Sequence, residues 1–282
     1  MLSLHEFLCA MSKSSACSKV VEKREDRWVG HGNKYVPLHE RINRRIKDKT
    51  PFFSLEFFPP KTANGVANFF TSQHEQRDLF IFHRCRMPGL LPSRHNVTHD
   101  MCTIFKRAND KTPGTDTDGI PIYKYRALDM IRWIREEFGD YFTIACSGYP
   151  LGHPESPSYK ADLLYLKSKC DAGAQFIVTQ LFFEAEVFEQ FVRDCREMGI
   201  TVPIIPGIMP IMGYDSIRRI ATLSQLTIPE SILSDLEPIK HDDDAVRKYG
   251  TIKAIEMCRR ILSNGSAPSI HLYTMNREGA CR

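Results

Sequence analysis

The chain has 282 residues, 42% of them hydrophobic and 26% charged, an ordinary globular composition with room for one large domain or two small ones. Its formal net charge of +4 is mild, and much of the excess lies in "RINRRIKDK" (Arg41 to Lys49), so a nucleic-acid role has little electrostatic basis. The nine cysteines form no CxxC pair and no zinc-type spacing, which suggests reduced thiols in a cytoplasmic protein, and no apolar run approaches the ~20 residues of a membrane span.

The first segment, "MLSLHEFLCAM", has no basic n-region, and His5 and Glu6 interrupt its apolar residues, so it does not read as a signal peptide. Residues 1–40 are expected to be a disordered tail, with the ordered domain running from 41 to 282. "FFSLEFFPPKT" (Phe52 to Thr62) reads as a short buried strand closed by Pro59 and Pro60. Glu56 in its middle is costly to bury unless something pairs or uses it. Between Phe70 and Ile122 the pattern is lost: the first part shows no clean period, and "KRANDKTPGTDTDGIP" reads as a polar loop.

From Tyr123 onward strands and helices alternate. "ALDMIRWIREEFG" places Ala127, Ile131, Ile134 and Phe138 on one helical face, with Gly139 as its stop. "YFTIACSGYP" is a buried strand, and "SYKADLLYLKSKCDAGA" a helix with Leu163, Leu166 and Cys170 on one stripe. "QFIVTQLFF" is the next strand. "EVFEQFVRDCREMG" is a helix facing Phe188, Phe191, Val192 and Cys195 inward, with Gly199 at its end. "TVPIIPGIMPI" is a strand despite its prolines, and a shorter helix starts near Asp215. "DAVRKYGTIKAIEMCRRILSNG" is a long helix leading to the last strand, "SIHLYTMN". Such alternation implies an α/β fold with a parallel sheet, and a β/α barrel keeps its active site at the C-terminal ends of its strands.

Polar residues gather at those ends: Tyr149, His153, Pro154, Glu155 and Ser156 after one strand, Gln180 after another, Tyr273 and Arg277 after the last. Each also has a structural reading, as a strand-end aromatic, a turn or a cap. Asp162 and Lys169 read equally as solvated helix charges, and for Lys169 alone that reading is favoured. "HDDDA" (His241 to Ala245) suggests a metal cluster at first sight, but acidic residues opening a helix explain it better. No metal site is expected.

Five ordered blocks, "FFSLEFFPPKT", "EEFGDYFTIACSGYPLGHPES", "ADLLYLKSKCDAGAQFIVTQLFFEAE", "MGITVPIIPGIMPI" and "LYTMNRE", together resemble the methylenetetrahydrofolate reductase family in its eukaryotic form. The resemblance covers roughly Arg41 to Phe69 and Tyr123 to Glu278. It implies a β/α (TIM-type) barrel holding FAD, which passes hydride from NADPH to methylenetetrahydrofolate and yields 5-methyltetrahydrofolate. Glu56 matches the catalytic glutamate of the family, a general acid whose burial among Phe53, Phe57 and Phe58 would raise its pKa. Glu56, Phe57, Phe58, Pro59, Pro60 and Lys61 match the stretch that meets the nicotinamide nucleotide. Tyr149, the run His153 to Ser156, Asp162 and Lys169 match FAD-contacting positions. Gln180 falls on the pterin-contacting amide, and Tyr273 and Arg277 on folate-side positions. The implied partner is a small folate substrate, with no nucleic acid and no membrane, and the family analogy allows a homodimer. NADPH against NADH is left to eukaryotic type, which favours NADPH.

The resemblance also exposes what is missing. The family's next three strands carry Thr-Trp-His, Leu-His-Met-Thr-Cys and Arg-Gly-Asp motifs, and none occurs between Phe70 and Ile122. The expected fold is therefore an incomplete β/α barrel, keeping the strand of Glu56 and the last four. The regulatory domain that eukaryotic members append is not expected in this chain. Back-translated with permitted codons and read one nucleotide later, His95 to Lys111 gives "IMLHMTCAQYSKEQMT", which contains the missing Leu-His-Met-Thr-Cys strand. The segment 70–122 thus reads as a frame-shifted or mis-spliced translation. The locus is expected to encode that strand one nucleotide out of register with His95 to Cys102. A confirmed transcript whose only open frame is the present one would remove this explanation.

Overall fold

A computed structural model describes residues 36–57, 80–83, 114–115, 121–122 and 126–274. The basic run forms helix α1 (Leu38–Lys47), with Ile42 as its buried residue and Arg44, Arg45 and Lys47 in the last turn, where cations complement the helix dipole. Strand β1 (Phe52–Phe57) follows after a short turn. β2 (Phe80–His83) comes next, then a small antiparallel ribbon of β3 (Gly114–Thr115) and β4 (Pro121–Ile122).

The alternating half is built largely as its periodicity predicts. Helix α2 (Ala127–Phe138) buries Ile131 and Ile134 and ends at Gly139, whose φ of 55° suits a residue without a β-carbon. β5 (Ala145–Gly148), α3 (Tyr159–Asp171), β6 (Phe176–Thr179) and α4 (Ala185–Glu197) then succeed one another. β7 (Ile204–Ile205) and β8 (Gly207–Ile208) flank Pro206, which lacks the N–H that would continue one ladder. After them come α5 (Tyr214–Ser224), a short α6 (Glu230–Leu236) with a 3-10 turn (Glu237–Ile239), the long α7 (Asp243–Ser263) and β9 (Ser269–Tyr273). The sequence pattern shows no sign of α6, whose seven residues are too few to establish a period. The Asp242 carboxylate accepts the N–H groups of Asp244 and Ala245, so "HDDDA" opens α7 as a helix cap.

All pairings in the two main sheets are parallel, in the orders β2-β1-β9-β8 and β5-β6-β7. Since β7 and β8 are consecutive halves of one extended segment, the sheets form one continuous wall: β5, β6, β7/β8, β9, β1, β2. The last strand lies beside the first, Phe52 opposite Ser269 and Glu56 opposite Tyr273, which is how a β/α barrel closes on itself. The fold is α/β, and among the described residues the barrel is incomplete. Three strands do arise between Phe70 and Ile122: β3 and β4 pair with each other where a polar loop was expected, and Phe80–His83 pairs with the free side of β1, Ser54 opposite Phe80. Four residues are too few to display an alternation, and the Phe-Ile-Phe run suits a strand once an edge is offered. Among the described residues nothing pairs with the outer edge of β5.

The wall has two faces. Outward, Leu55, Ile177, Ile204, Ile208, Ile270 and Leu272 pack under the helices with Phe188 and Phe191. Inward, Phe52, Phe176 and Ile205 meet Ile42 of α1, which plugs the N-terminal end of the wall. Ala145 and Ser147, on the inner face of β5, are exposed, while Cys146 and Gly148 on its outer face are buried. Among the described residues nothing covers the inner face there.

Gly207 marks the join of the two sheets. Its N–H donates to Thr179 Oγ1 at 2.9 Å, and a β-carbon at this position would collide with the Thr179 carbonyl and the Tyr273 ring. Gly207→Ala is therefore expected to cost about 1–3 kcal/mol through overpacking. Urea denaturation would read this as a lower midpoint at unchanged slope.

Candidate active site

Because the strands are parallel, the C-terminal ends of β1, β5, β6 and β9 share one rim. The loop after β5 begins at Gly148, where a β-carbon would press on Ile177 and Phe191 at 2.9 Å. Glycine is thus needed for the strand to lie this close to its neighbours. Tyr149 is half-buried and meets the His153 ring edge-on, centroids 4.6 Å apart. His153 Nδ1 accepts the Glu155 N–H at 3.1 Å, so the ring proton of the neutral imidazole sits on Nε2. Pro154 and Glu155 are exposed, and the Ser156 hydroxyl donates to the Ser158 carbonyl. Ser158 in turn caps α3 by accepting the Ala161 N–H.

Helix α3 brings two charges beneath this loop. Asp162 and Lys169, two turns apart, are only 6% and 5% exposed. Burial raises the Asp162 pKa above the usual carboxylate value, opposed in part by the Lys169 cation and by the backbone N–H of His153. Lys169 Nζ donates to the Ser147 carbonyl at 2.6 Å and lies 5.4 Å from the Tyr165 ring. Carbonyls alternate along a strand, and those of Ile144 and Gly148 serve β6-side donors. The Ser147 carbonyl therefore points to the outer edge of β5, where the ammonium stands in for a neighbouring strand's N–H. The expectation that Lys169 is a solvated surface charge is corrected: it is buried, because an open strand edge offers it an acceptor.

Across the rim, the Gln180 N–H donates to the Gly148 carbonyl at 2.7 Å, and its side chain is half-buried. Tyr273 donates its hydroxyl to the Thr179 carbonyl at 2.7 Å and stacks edge-on against His271, 4.8 Å between centroids. His271 Nδ1 and Ser54 Oγ are 2.8 Å apart and both residues are buried. Only the backbones of Glu56 and Phe57 are described; Glu56 lies in register between Tyr273 and Phe82. Phe58, Pro59, Pro60, Lys61 and Arg277 lie outside the described residues. The structure thus brings together Tyr149, His153, Asp162 and Lys169, and sets Tyr273 beside the end of β6. Sequence reasoning missed Ser54, Thr179 and His271. Their signal was available: Ser54 and His271 are polar residues inside apolar strands, each two positions before a predicted site residue.

A family model described as methylenetetrahydrofolate reductase matches residues 108–282. The chain belongs to the methylenetetrahydrofolate reductase family. That match begins at residue 108, inside the stretch expected to be foreign, so the family pattern resumes earlier than Tyr123. A probable methylenetetrahydrofolate reductase (NADPH) of Caenorhabditis elegans is 55% identical over 291 residues, 88% of this chain and 44% of its own. Methylenetetrahydrofolate reductase (NADH) 1 of Arabidopsis thaliana is 37% identical over 79% of this chain and 46% of its own. Methylenetetrahydrofolate reductase 2 of Saccharomyces cerevisiae is 34% identical, covering 82% and 46%. The chain therefore spans under half the length of these relatives. Among the described residues, no helix is long and apolar enough to cross a membrane.

The buried carboxylate of this reductase-family chain has a measurable consequence. A raised folded-state pKa means that folding takes up a proton between the ordinary aspartate value and the raised one. Stability contributed by Asp162 is present below the ordinary value and is lost as pH rises through the raised one. Asp162→Asn keeps an acceptor for the backbone N–H of His153 and removes the buried charge. It is expected to raise the thermal midpoint at neutral pH and to flatten that decline, measured by melting the two proteins across a pH series.

Proposed function

We propose that this rim is one wall of a flavin site, whose chemistry is FAD-mediated hydride transfer from NADPH to 5,10-methylenetetrahydrofolate, giving 5-methyltetrahydrofolate. The observation that carries the reading is the burial of Asp162 and Lys169 beneath the Tyr149–His153 loop. A fold keeps two buried charges against their desolvation cost most readily where a polar ligand needs them. The residues fit FAD. A carboxylate with raised proton affinity is a good acceptor for ribose hydroxyls, and Lys169 Nζ has two N–H donors beyond the one given to Ser147, suited to phosphate oxygens. A bound flavin supplies the hydride relay between nicotinamide and folate.

The protein's own groups have distinct tasks in this reading. Glu56 delivers the proton that folate ring opening requires, and Phe57 to Lys61 meet the nicotinamide nucleotide. Gln180 holds the pterin by its amide. Tyr273 and Arg277 lie on the folate side, where a cation suits the substrate's carboxylates. Tyr149 and the run His153 to Ser156 wall the flavin.

The wall is incomplete in this chain. The match with the nematode relative runs over 291 residues, more than the 282 present here, so that relative carries residues within the match that this chain lacks. The exposed inner face of Ala145 and Ser147 fits the same loss. A second reading follows from that uncovered face and the open edge of β5: an inactive form that acts, if at all, through a full-length subunit. The test compares this chain with one in which the nematode relative's sequence replaces residues 70–122. The restored chain is expected to purify yellow and to turn over with NADPH and the methylene folate, and the present chain to be colourless. In the restored chain Glu56→Gln should keep FAD and slow folate reduction by about 10²–10⁴, with flavin reduction by NADPH spared. A yellow, active 282-residue chain would overturn the incomplete-wall reading. A restored chain that holds no flavin would overturn the assignment of the site.

A further inference from the structure

Helix α4 supports the loop after β5 from below at two points. At the start of that loop Phe191 lies so close to Gly148 that a β-carbon there would press on its ring at 2.9 Å. Three residues further along the same face of α4, Asp194 Oδ2 accepts the Tyr159 hydroxyl at 2.8 Å. Asp194 Oδ1 accepts a Gln190 Nε2–H at 2.7 Å, so the carboxylate is held on both sides. Tyr159 is the first residue of α3, directly after the Ser158 cap, and its half-buried ring packs against the main core. Burial, and then the Asp194 carboxylate, raise the Tyr159 pKa, so its hydroxyl stays a donor throughout the neutral range.

Tyr159 in turn meets the loop. Gly152 adopts a φ of 84°, and a β-carbon on it would lie 3.5 Å from Tyr159 Cδ2 and 3.6 Å from Tyr159 Cα. The Gly152 N–H donates to the Tyr149 carbonyl at 2.9 Å, which closes the turn from Tyr149 to Gly152. Phe191 thus fixes where this turn leaves the strand, and Tyr159 where it comes down onto α3. Between the two supports stands Tyr149, whose ring meets His153. The turn bonds of the loop, Gly152 to Tyr149 and Ser156 to His153, stay within it, whereas Tyr159 connects it to α4.

We propose that Tyr159, anchored by Asp194, is a positioning residue that holds the Tyr149–Gly152 turn at the height where the Tyr149 ring walls the cofactor. The inference rests on the flavin reading of the rim. Tyr159 acts through the turn, and its ring is fixed at both ends: by the backbone at the start of α3 and by a charge-assisted bond from its hydroxyl to α4. A phenylalanine would supply the same ring and core packing without the second anchor, so the turn resting on it would be free to shift. A turn already held in place spares the ligand the cost of ordering it on binding.

The first measurement needs no flavin. In the 282-residue chain, amide hydrogen exchange is followed by mass spectrometry in peptides covering 149–158, with a peptide covering 176–180 of β6 as the control. Tyr159→Phe keeps the ring and removes the donor. Exchange in 149–158 should rise about three- to tenfold, the worth of one hydrogen bond, with β6 unchanged. Asp194→Val should do the same and add nothing in the double variant. Asp194→Asn keeps an acceptor for the hydroxyl and should retain most of the protection. The second measurement uses the chain restored with the nematode relative's segment, in which Tyr159→Phe should release FAD about three- to tenfold faster and Asp194→Asn should stay near the unsubstituted rate. Unchanged exchange in Tyr159→Phe overturns the proposal, as does faster exchange with FAD release unchanged. Exchange that rises equally in β6 reports a general loss of stability and overturns it too. A restored, unsubstituted chain that holds no FAD overturns the flavin reading instead, and the exchange data then decide by themselves whether Tyr159 positions the turn.

Discussion

The contact on which the rest of this structure depends is the parallel pairing of β1 with β9. It joins residues more than two hundred positions apart, Ser54 Oγ to His271 Nδ1 among them, before any local structure can benefit. Loop closure over such a span is costly, and it is offset because the paired strands bury Leu55, Ile270 and Leu272 under the helices at the same time. The seam also fixes what meets at the rim. It puts the backbone of Glu56 opposite Tyr273, so that the first and last segments of the sequence meet on one rim.

Continuity around the wall hangs on a second detail. Pro206 cannot donate to a ladder, and the extended segment around it changes partners there, from β6 before the proline to β9 after it. Side chains take over where the backbone falls short. Thr179 accepts the Gly207 N–H, and the Tyr273 hydroxyl reaches across the glycine to the Thr179 carbonyl. The small residue at 207 is what allows this crossing.

An open strand edge must have its carbonyls satisfied, and at β5 a lysine does this work. The same residue belongs to the proposed cofactor wall, so one ammonium serves both the fold and the site. Asp162, two turns earlier on the same helix, is held buried at a cost in stability at neutral pH, a pattern expected where chemistry sets the residue and the fold tolerates it. The acid and the base of this pair sit under a loop whose own bonds are local, Tyr149 to Gly152 and His153 to Glu155 and Ser156. The loop is held by these short-range bonds and by the backbone N–H of His153 on Asp162, and Lys169 by a contact with another element.

The sequence by itself determined the order of elements after Tyr123, the helix faces of Ile131, Leu163 and Phe188, the stop at Gly139 and the cap at Asp242. These follow from period, glycine conformation and side-chain to backbone bonds within a few residues. It also carried the family, because five motif blocks keep their order whatever the chain does between them. Tertiary structure alone decided the rest. Whether Lys169 was solvated or buried depended on an acceptor twenty-two residues away in another element. Whether Phe80–His83 was a strand depended on the free edge of β1. Periodicity reports which face of an element is apolar. It does not report which polar group across the fold will be waiting for the exceptions.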